Sequence, residues 1–310
     1  MRRWQKFTIG MVVVATAATL SGLGVIARQR AHELLTNPRE TRHMPGRTPG
    51  DHGLPFDDVT VRTVDGLWLA GWYIPSSNRA AVLLLHGYKA DRGEMLNEAA
   101  MLHRHGYGVL VGALRTHDRS DGTLITFGIQ ETKDVDAWVT WLAARPDVDA
   151  ERIGAIGNSM GGSIVIQYAA DHPSIKAVVA NSAFSSLTET IETSIRFFTG
   201  LPPFPFAPMI TFWAEREAGF RIADVDFKPA IAKLSPRPVF LMQGGQDAVI
   251  SPESGRRLFA AAKDPKELWF DREIRHTRFD TAYPEEYERR VVAFFDRALA
   301  PQTPAGEPAR

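Results

Sequence analysis

The chain has 310 residues, with 36 basic and 36 acidic side chains and a formal net charge of zero at pH 7. Nucleic-acid-binding proteins usually concentrate basic charge on one face, so this balance argues against that class. Cysteine is absent, which excludes disulfides, thiolate metal ligands and thiol catalysis but leaves the redox compartment open.

Residues 1–35 are predicted as an N-terminal anchor or signal segment. Residues 7–27 carry no charge, and this run is long enough to span a bilayer as a helix. The alternative is a cleaved signal peptide followed by secretion, since Ala15 and Ala17 resemble a small-residue cleavage site. The length of the run favours a single-pass membrane anchor. Basic residues flank both ends, so the orientation stays open.

Two polar stretches bound the expected folded domain. Residues 36–55 hold four prolines with glycines and charges and show no apolar period, so they are predicted as a linker. Residues 301–310 have a similar composition and are predicted as a disordered tail. The folded domain is therefore expected over residues 56–300, which is enough for one large core.

Between these stretches, strand and helix patterns alternate. The first two strands are expected to form a hairpin across Asp65-Gly66. Later strands are short apolar runs, as in strands that are buried on both faces. This alternation predicts an α/β fold with a mostly parallel sheet and helices on both faces. The predicted strands are 57–64, 67–74, 81–85, 107–114, 152–156, 175–180, 238–242 and 267–270; the predicted helices are 93–105, 130–144, 161–170, 253–262 and 285–299.

The segment from Gly157 to Gly161 fits the pattern G-x-S-x-G and lies between a predicted strand and a predicted helix, as this motif requires. A sharp turn there would present the hydroxyl of Ser159 at the carboxyl edge of the sheet, and the two glycines avoid steric collisions in the turn. We therefore predict that Ser159 is a nucleophile. The alternative is a glycine-rich turn with an incidental serine.

The alternation breaks over about residues 184–235, which are predicted as a cap insertion. Apolar side chains crowd one part of it, spaced by prolines. They could face an apolar acyl chain, contact a membrane, or merely pack the cap onto the sheet, and the sequence leaves all three open. These residues are Phe197, Phe198, Leu201, Phe204, Phe206, Met209, Ile210, Phe212 and Trp213.

A serine hydroxyl needs a base, and the base needs an orienting acid. Enzymes with this strand–turn–helix motif place the acid and then the histidine later in the chain. His276 is the one histidine after residue 173 and is the predicted base. Asp247 follows a predicted strand and is the predicted acid. Asp264 is expected at the opposite sheet edge, while Asp271 and Asp280 are too near the histidine in sequence.

An oxyanion hole needs two backbone donors near the attacked carbonyl. The N–H of Met160, directly after the nucleophile, is one candidate. The N–H of Tyr88, in the loop after strand 81–85, is the other, and Gly87 would let that backbone approach closely. His86 precedes Ser159 in the chain and is expected to brace this loop.

Together these residues resemble the α/β-hydrolase superfamily over roughly residues 57–298, and more narrowly its serine-aminopeptidase-like and esterase-like members. The resemblance implies an α/β-hydrolase fold in which Ser159, Asp247 and His276 form a catalytic triad. It also implies that Tyr88 and Met160 are the oxyanion donors. The matching positions are His86, Gly87, Thr126, Gly128, Glu131, Asp134, Gly157, Ser159, Gly161, Gly244, Asp247 and His276.

One loop departs from the pattern of these relatives, which usually show Asp-x-Arg-Gly-x-Gly-x-Ser after the fourth strand. Arg115 and Ser120 fit this pattern. Ala113 stands at the aspartate, and Thr116 and Asp118 stand at the two glycines. Relatives also often carry glycine shortly before the catalytic histidine, where this chain has charged residues.

The expected activity is cofactor-free and metal-free hydrolysis of a carboxylic ester through an acyl-enzyme. A peptidase or thioesterase would use the same triad, and a catalytically silent binding protein could keep the same fold. Acyl transfer to an acceptor other than water is a further alternative. The expected partners are a small ester or peptide-like substrate and, through the N-terminal helix, a membrane, with no nucleic acid.

Overall fold

An eight-stranded sheet forms the centre of the molecule, which a computed structural model describes over residues 3–301. Its strands are β1 Asp57–Arg62, β2 Trp68–Ile74, β3 Ala81–Leu85, β4 Gly108–Gly112, β5 Ile153–Asn158, β6 Ala177–Asn181, β7 Val239–Gly244 and β8 Lys266–Asp271. Their order is β1-β2-β4-β3-β5-β6-β7-β8. The pairs β1–β2 and β2–β4 are antiparallel, and the other neighbours are parallel.

Helices cover both faces of this sheet. They are α1 Arg3–Leu35, α2 Leu96–Arg104, α3 Thr132–Ala143, α4 Met160–Asp171, α5 Leu187–Thr199, α6 Pro203–Ala218, α7 Lys228–Ala232, α8 Pro252–Ala261, α9 Phe279–Ala282 and α10 Pro284–Ala298. Helices α2 and α10 pack on one face, and α3, α4 and α8 pack on the other. The predicted α/β-hydrolase architecture is confirmed.

Alternation along the buried strands divides the apolar residues between two cores. In β3, Leu83 and Leu85 belong to the core under α3 and α4, while Val82 and Leu84 belong to the core under α2 and α10. Successive strand side chains point to opposite faces, so a strand that is covered on both sides must be apolar at every position. This is why the central strands were readable as uninterrupted apolar runs.

A paired set of glycines makes room for the largest buried side chain of α3. Gly71 in β2 and Gly112 in β4 are register partners. A Cβ atom at either position would lie 2.7 Å from the indole of Trp138. Glycine therefore lets this ring pack directly on the backbone of the sheet, where a larger residue would force the helix outward.

The N-terminal helix α1 contains a stretch, Phe7–Leu35, that is long and apolar enough to cross a membrane by length and composition. Most of its side chains are exposed, but Ala27, Ala31 and Leu35 are buried against the domain, where α1 packs on α6. The last two turns of the helix are therefore part of the folded body.

Residues 36–55, predicted as a linker, contain only short 3₁₀ turns among their regular elements, at Arg39–Thr41 and Pro49–His52. The segment is nevertheless tied to the domain. The side chain of Asn37 donates to the carbonyl of Thr116 at 2.9 Å, and the guanidinium of Arg42 donates to the carbonyl of Ser120 at 2.6 Å. The first part of the chain is thereby held in a fixed place beside the sheet edge.

Several element boundaries differ from the sequence-based expectation. The helix predicted from residue 93 begins as a 3₁₀ turn at Arg92–Met95 and becomes α-helical at Leu96. The short helix α9 was not predicted. Helices α5 and α6, which we call the cap, cover Ser159, whereas α7 returns to pack on α4 and α8. The tail predicted over residues 301–310 lies outside the described residues, except for Pro301.

Candidate active site

Ser159 stands at the turn between β5 and α4 with a left-handed backbone, φ 51° and ψ −116°. This conformation is costly for a residue with a side chain and is held by its surroundings. A Cβ at position 157 would lie 2.3 Å from the backbone of Gly161, and one at position 161 would lie 2.5 Å from the carbonyl oxygen of Leu85. The amide of Ser159 donates to the carbonyl of Asn181 at 2.8 Å. Both glycines of the motif are therefore required by backbone contact.

The carboxylate of Asp247 is fully buried in the loop after β7. Its Oδ1 accepts from the amides of Val249 and Ile250 at 2.9 and 2.8 Å. Its Oδ2 lies 2.7 Å from Nδ1 of His276 and also accepts weakly from the side chain of Gln243 at 3.3 Å. An ionised carboxylate can only accept, so Nδ1 of the imidazole carries the proton and Nε2 is left as the basic nitrogen.

Two glycines allow the histidine loop to reach this carboxylate. A Cβ at Gly244 would lie 2.2 Å from the carbonyl oxygen of Ile274, and one at Gly245 would lie 2.8 Å from the backbone of Arg272. A hydrogen bond also holds the loop from its other side, because the amide of Thr277 donates to the hydroxyl of Ser182 at 3.1 Å. The glycines that precede the acid therefore serve close packing between two loops.

The other carboxylates considered from sequence have different partners. Asp264 is exposed beyond α8. Asp271 accepts from the hydroxyl of Tyr283, and Asp280 accepts from the side chain of Asn97. Asp247 is the predicted acid that the structure brings into contact with the predicted base.

Ser159 lies at the same edge of the sheet as this pair. It follows β5, while Asp247 and His276 follow β7 and β8, and these strands are parallel. Ile250, whose amide bonds to the acid, lines the same cavity as Ser159. Within residues 3–301 the hydroxyl of Ser159 makes no hydrogen bond to the imidazole. The structure therefore joins Asp247 to His276 and places Ser159 at the same sheet edge.

The two predicted oxyanion donors flank the nucleophile. Met160 begins α4, and Tyr88 lies in the loop after β3. A Cβ at Gly87 would lie 3.4 Å from the Cβ of Ser159, so this loop passes directly beside the serine. Neither amide donates to a protein acceptor in the described part of the chain. Free amides beside a nucleophile suit a developing negative charge.

Two buried histidines hold the loop that carries Tyr88. Nε2 of His86 accepts from the amide of Leu114 at 3.2 Å, and Nε2 of His117 accepts from the amide of Lys89 at 3.0 Å. Each Nδ1 lies within 2.8 Å of a backbone carbonyl oxygen and donates to it. Burial lowers the pKa of both imidazoles, which fits the neutral state that these bonds require.

His86 therefore braces the loop, as expected. His117 braces it as well, and this second role was not predicted. The signal was its position between the two places where relatives carry glycine. Thr116 and Asp118 adopt φ of 62° and 50°, the left-handed conformation that glycine would adopt easily. A buried ion pair between Asp118 and Arg92, at 2.6 Å, holds the second of them. The loop thus adopts a left-handed backbone at both positions without glycine.

The motif residues before α3 also have structural partners. The carboxylate of Glu131 accepts from the amides of Thr126 and Gly128, each at 2.7 Å. Asp134 pairs with the buried guanidinium of Arg115 at 2.7 Å. These positions therefore fix the loop between β4 and α3, and none of them contacts Ser159 through a hydrogen bond.

An apolar cavity opens beside Ser159 between the sheet edge, the cap and the end of α1. No charged side chain lines it among the described residues. No group of three or more His, Cys, Asp or Glu side chains in residues 3–301 could hold a metal ion. The cavity is lined by Leu34, Leu35, Tyr88, Phe127, Ser159, Met160, Phe184, Leu187, Thr190, Ile191, Ile195, Phe198, Ile210, Ala214, Ile222 and Ile250.

Solved structures with the same fold include two hydrolases. The esterase Pf2001 of Pyrococcus furiosus is 28% identical with a TM-score of 0.73, and the match covers 86% of this chain and 99% of that one. The alpha/beta hydrolase GrgF of Penicillium sp. sh18 is 22% identical with a TM-score of 0.66, covering 80% of this chain and 100% of that one. The second likeness concerns the fold alone.

Sequence relatives and family models agree with this fold. The uncharacterised protein Rv2307c of Mycobacterium tuberculosis H37Rv is 31% identical over 214 residues, which is 67% of this chain and 68% of that one. The X-Pro dipeptidyl-peptidase (S15) family matches residues 40–199, and the prolyl oligopeptidase family matches residues 126–302. Because each family match covers more than half of the chain, the protein belongs to the α/β-hydrolases that include these two families, and it is a serine hydrolase.

Proposed function

We propose that the protein is a membrane-anchored esterase in which Ser159, His276 and Asp247 form the catalytic triad. The observation that carries this proposal is the 2.7 Å hydrogen bond between the buried Asp247 and His276, at the sheet edge where the strained Ser159 stands. A carboxylate that holds the Nδ1–H of an imidazole leaves Nε2 free to accept the proton of a serine.

In the proposed reaction, Oγ of Ser159 attacks the ester carbonyl while Nε2 of His276 takes the hydroxyl proton. The oxyanion of the tetrahedral intermediate accepts from the amides of Tyr88 and Met160. His276 then returns the proton to the departing alkoxide, which leaves an acyl-serine. Water, deprotonated by the same imidazole, attacks this acyl-serine, and the imidazole returns the proton to Oγ of Ser159 as the carboxylic acid leaves. Asp247 stays ionised and orients the imidazole throughout.

The composition of the cavity favours an ester over a peptide. An aminopeptidase must bind a charged amino terminus, and charged groups in sites need a paired partner. The described lining of the cavity offers apolar side chains and no carboxylate. The likeness to the esterase Pf2001 points the same way. A peptidase remains the second candidate because both matching family models are named for peptidases.

The membrane anchor is supported by the continuity of α1. The helix runs without a break from its apolar stretch to Leu35, and its last turns pack on the domain. A retained anchor would keep this helix whole, whereas cleavage after Ala17 would remove its first half and leave the packed turns in place. The proposal predicts that the mature protein keeps residues 1–17 and sediments with membranes.

Labelling with a fluorophosphonate probe, followed by ester hydrolysis, tests the proposal. Wild-type protein should be labelled, and Ser159→Ala should abolish labelling and lower kcat/KM for p-nitrophenyl butyrate at least about ten-thousandfold. Ser77→Ala, at an exposed serine near the opposite sheet edge, is the matched control and should match wild type. Folded wild-type protein that takes no label would favour a binding protein, and faster cleavage of aminoacyl p-nitroanilides would favour a peptidase.

A further inference from the structure

Helices α1 and α6 run side by side in the same direction with a constant register. The guanidinium of Arg28 lies 5.4 Å from the ring centre of Trp213, and His32 lies 2.6 Å from the carboxylate of Glu217. Both contacts join residues that are 185 positions apart (213 − 28 and 217 − 32). The small buried residues Ala27 and Ala31 let the two backbones approach closely.

This register places the start of α6 beside the uncharged part of α1. Because the two helices run in the same direction, the residues that precede Arg28 in α1 lie beside the residues that precede Trp213 in α6. Leu23 and Met209, which precede the contact by four or five residues, both pack against the same core. Arginine and tryptophan typically mark the boundary between lipid and water in membrane proteins.

The chain around the start of α6 is suited to that position. Residues 197–214 form an uncharged run across the end of α5 and the first turns of α6. Within it Phe204 is 83% exposed, Phe197 58% and Phe212 48%. We call residues 197–209 the cap tip. An apolar surface of this kind fits the outer 5–10 Å of a leaflet, where interfacial segments bury their aromatic side chains.

The cavity beside Ser159 is connected to the same structures. The exposed ring of Phe197 contacts Phe198, which lines the cavity, at 5.2 Å between centroids. Leu34 and Leu35, at the end of α1, form part of the cavity wall. A helix rises 1.5 Å per residue, so Leu34 lies only about 10 Å beyond Ala27, where the uncharged run ends.

The end of α1 is also bonded to the loop that carries the proposed oxyanion donor. The hydroxyl of Tyr88 donates to the carbonyl of Leu34 at 2.7 Å, and the amine of Lys89 donates to the carbonyl of Glu33 at 2.6 Å. These bonds satisfy terminal carbonyls of the helix, where positive charge is favoured. The end of α1 is therefore bonded directly to the loop that passes beside Ser159.

From these contacts we propose that the substrate is an ester with a long acyl chain that resides in the bilayer and enters the cavity from the leaflet beneath the cap tip. The proposal rests on the esterase activity proposed above and names its substrate class. The cavity has a volume of about 60 Å³, so it holds the first carbons of the acyl chain with the carbonyl at Ser159, and the rest of the chain stays among the apolar side chains of the cap tip. Hydrolysis by water releases a fatty acid and the alcohol.

The position of the cap tip can be tested without any enzyme activity, because the chain has no cysteine. Full-length Phe204→Cys, labelled with an NBD fluorophore in phosphatidylcholine vesicles, should be quenched by spin-labelled phosphatidylcholine. Val64→Cys, at a residue 84% exposed in the β1–β2 turn, is the matched control and should not be quenched. An unquenched label at position 204 would overturn the proposal, whatever esters the protein hydrolyses.

The substrate class is tested with 4-methylumbelliferyl oleate in phosphatidylcholine vesicles and the soluble butyrate ester. The double variant Phe197→Ser with Phe204→Ser should lower the ratio of oleate to butyrate rates at least about tenfold, while Val64→Ser leaves it unchanged. An unchanged ratio in the double variant, with Ser159-dependent butyrate hydrolysis, would refute the substrate class and leave the esterase standing. Wild-type protein that hydrolyses neither ester and takes no fluorophosphonate would refute the esterase itself.

Discussion

The two walls of the candidate site are built by different forces. On the sheet edge, hydrogen bonds hold the principal polar side chains: Asp247 accepts four hydrogen bonds, and His86 and His117 each join two backbone segments. On the cap side, α5, α6 and the end of α1 meet the cavity almost entirely through apolar side chains. A hydrogen bond fixes two atoms to within a few tenths of an ångström, whereas apolar contacts tolerate many arrangements of similar volume.

This difference assigns separate tasks to the two walls. The sheet edge must hold reacting groups in one geometry, so changes there should slow the reaction of every substrate. The cap wall decides which acyl group fits, so changes there should alter the ratio between substrates. Substitutions on the sheet edge are therefore the strictest test of this division of tasks. Each should lower kcat by the same factor for esters of every acyl chain length.

The largest effect is expected for Asp247→Asn. The amide cannot accept from Nδ1–H as a carboxylate does, and its NH₂ group favours the tautomer in which Nε2 is protonated and useless as a base. We expect kcat to fall roughly a thousand- to ten-thousandfold for butyrate and oleate esters alike. Steady-state kinetics on both esters measures this.

Asp264→Asn is the matched control, since that carboxylate is exposed and beyond α8. It should leave kcat within about twofold of wild type, as for most surface substitutions. If Asp247→Asn kept a tenth of wild-type kcat, the proposed acid would be wrong. A loss restricted to one ester would break the division between the two walls.

A smaller effect is expected for His117→Phe, which removes the acceptor of the Lys89 amide while keeping a ring of similar size. His117 is a positioning residue, because it acts through the loop that carries Tyr88. Complete loss of one oxyanion donor costs roughly a hundred- to a thousandfold in kcat, and a displaced donor should cost less. We therefore expect kcat to fall about ten- to a hundredfold with KM within about threefold.

Partial rescue by His117→Gln, whose amide oxygen can accept, would distinguish positioning from simple packing. His43→Phe, at an exposed histidine, is the control and should leave both constants unchanged. A rise in KM at constant kcat would contradict the positioning role. Circular dichroism melting of each variant identifies any loss that comes from unfolding.

The sharp turn at Ser159, the proposed nucleophile, could be predicted from sequence because its requirements are local. The glycines at 157 and 161 are fixed by backbone atoms that approach within 2.5 Å, and a motif five residues long contains most of that geometry. The acid and base were predicted by their order after Ser159 and by the strands they follow. Their contact across two loops depends on Gly244 and Gly245, whose packing role no local pattern reveals.

What the sequence did not reveal depends on contacts between distant segments. His117 accepts from the amide of Lys89, which lies 28 positions earlier in the chain. A neutral acceptor in a loop follows no periodic pattern, so the sequence does not predict this bond. The end of α1 looked like the end of an anchor, although Leu34 bonds to Tyr88 and lines the cavity. Residues 36–55 were predicted as a linker, and no sequence pattern revealed that Arg42 bonds them to the domain, because the acceptors are backbone carbonyls, which every residue supplies.

The smallest effect on activity is expected at a buried carboxyl that the proposed mechanism does not use. Glu98 in α2 is as buried as Asp247, but it accepts one hydrogen bond, from the hydroxyl of Tyr287 at 3.2 Å, and its Oε2 has no partner among the described residues. Burial raises the pKa of Glu98 to about 8, and the nearby charge of Asp280 adds to this.

The sign of the resulting pH dependence follows from the raised pKa. The folded state binds the Glu98 proton more tightly than the unfolded chain does. The contribution of this group to the free energy of unfolding is therefore highest below about pH 4.5 and falls until the pH passes about 8. Between pH 6 and 8 this group should cost on the order of 2 kcal/mol. Glu98→Gln should remove that part of the slope while leaving kcat unchanged.

Melting temperatures in detergent at pH 6 and 8 measure this, with the exposed Glu285→Gln as the matched control. The wild type and the control should lose several degrees more than Glu98→Gln over this range. Equal losses in all three would show that Glu98 is ionised in the folded protein. A fall in kcat for Glu98→Gln would instead show that a residue of α2, beyond the sheet edge, also helps to hold the reacting groups. The division of tasks between the two walls would then be wrong.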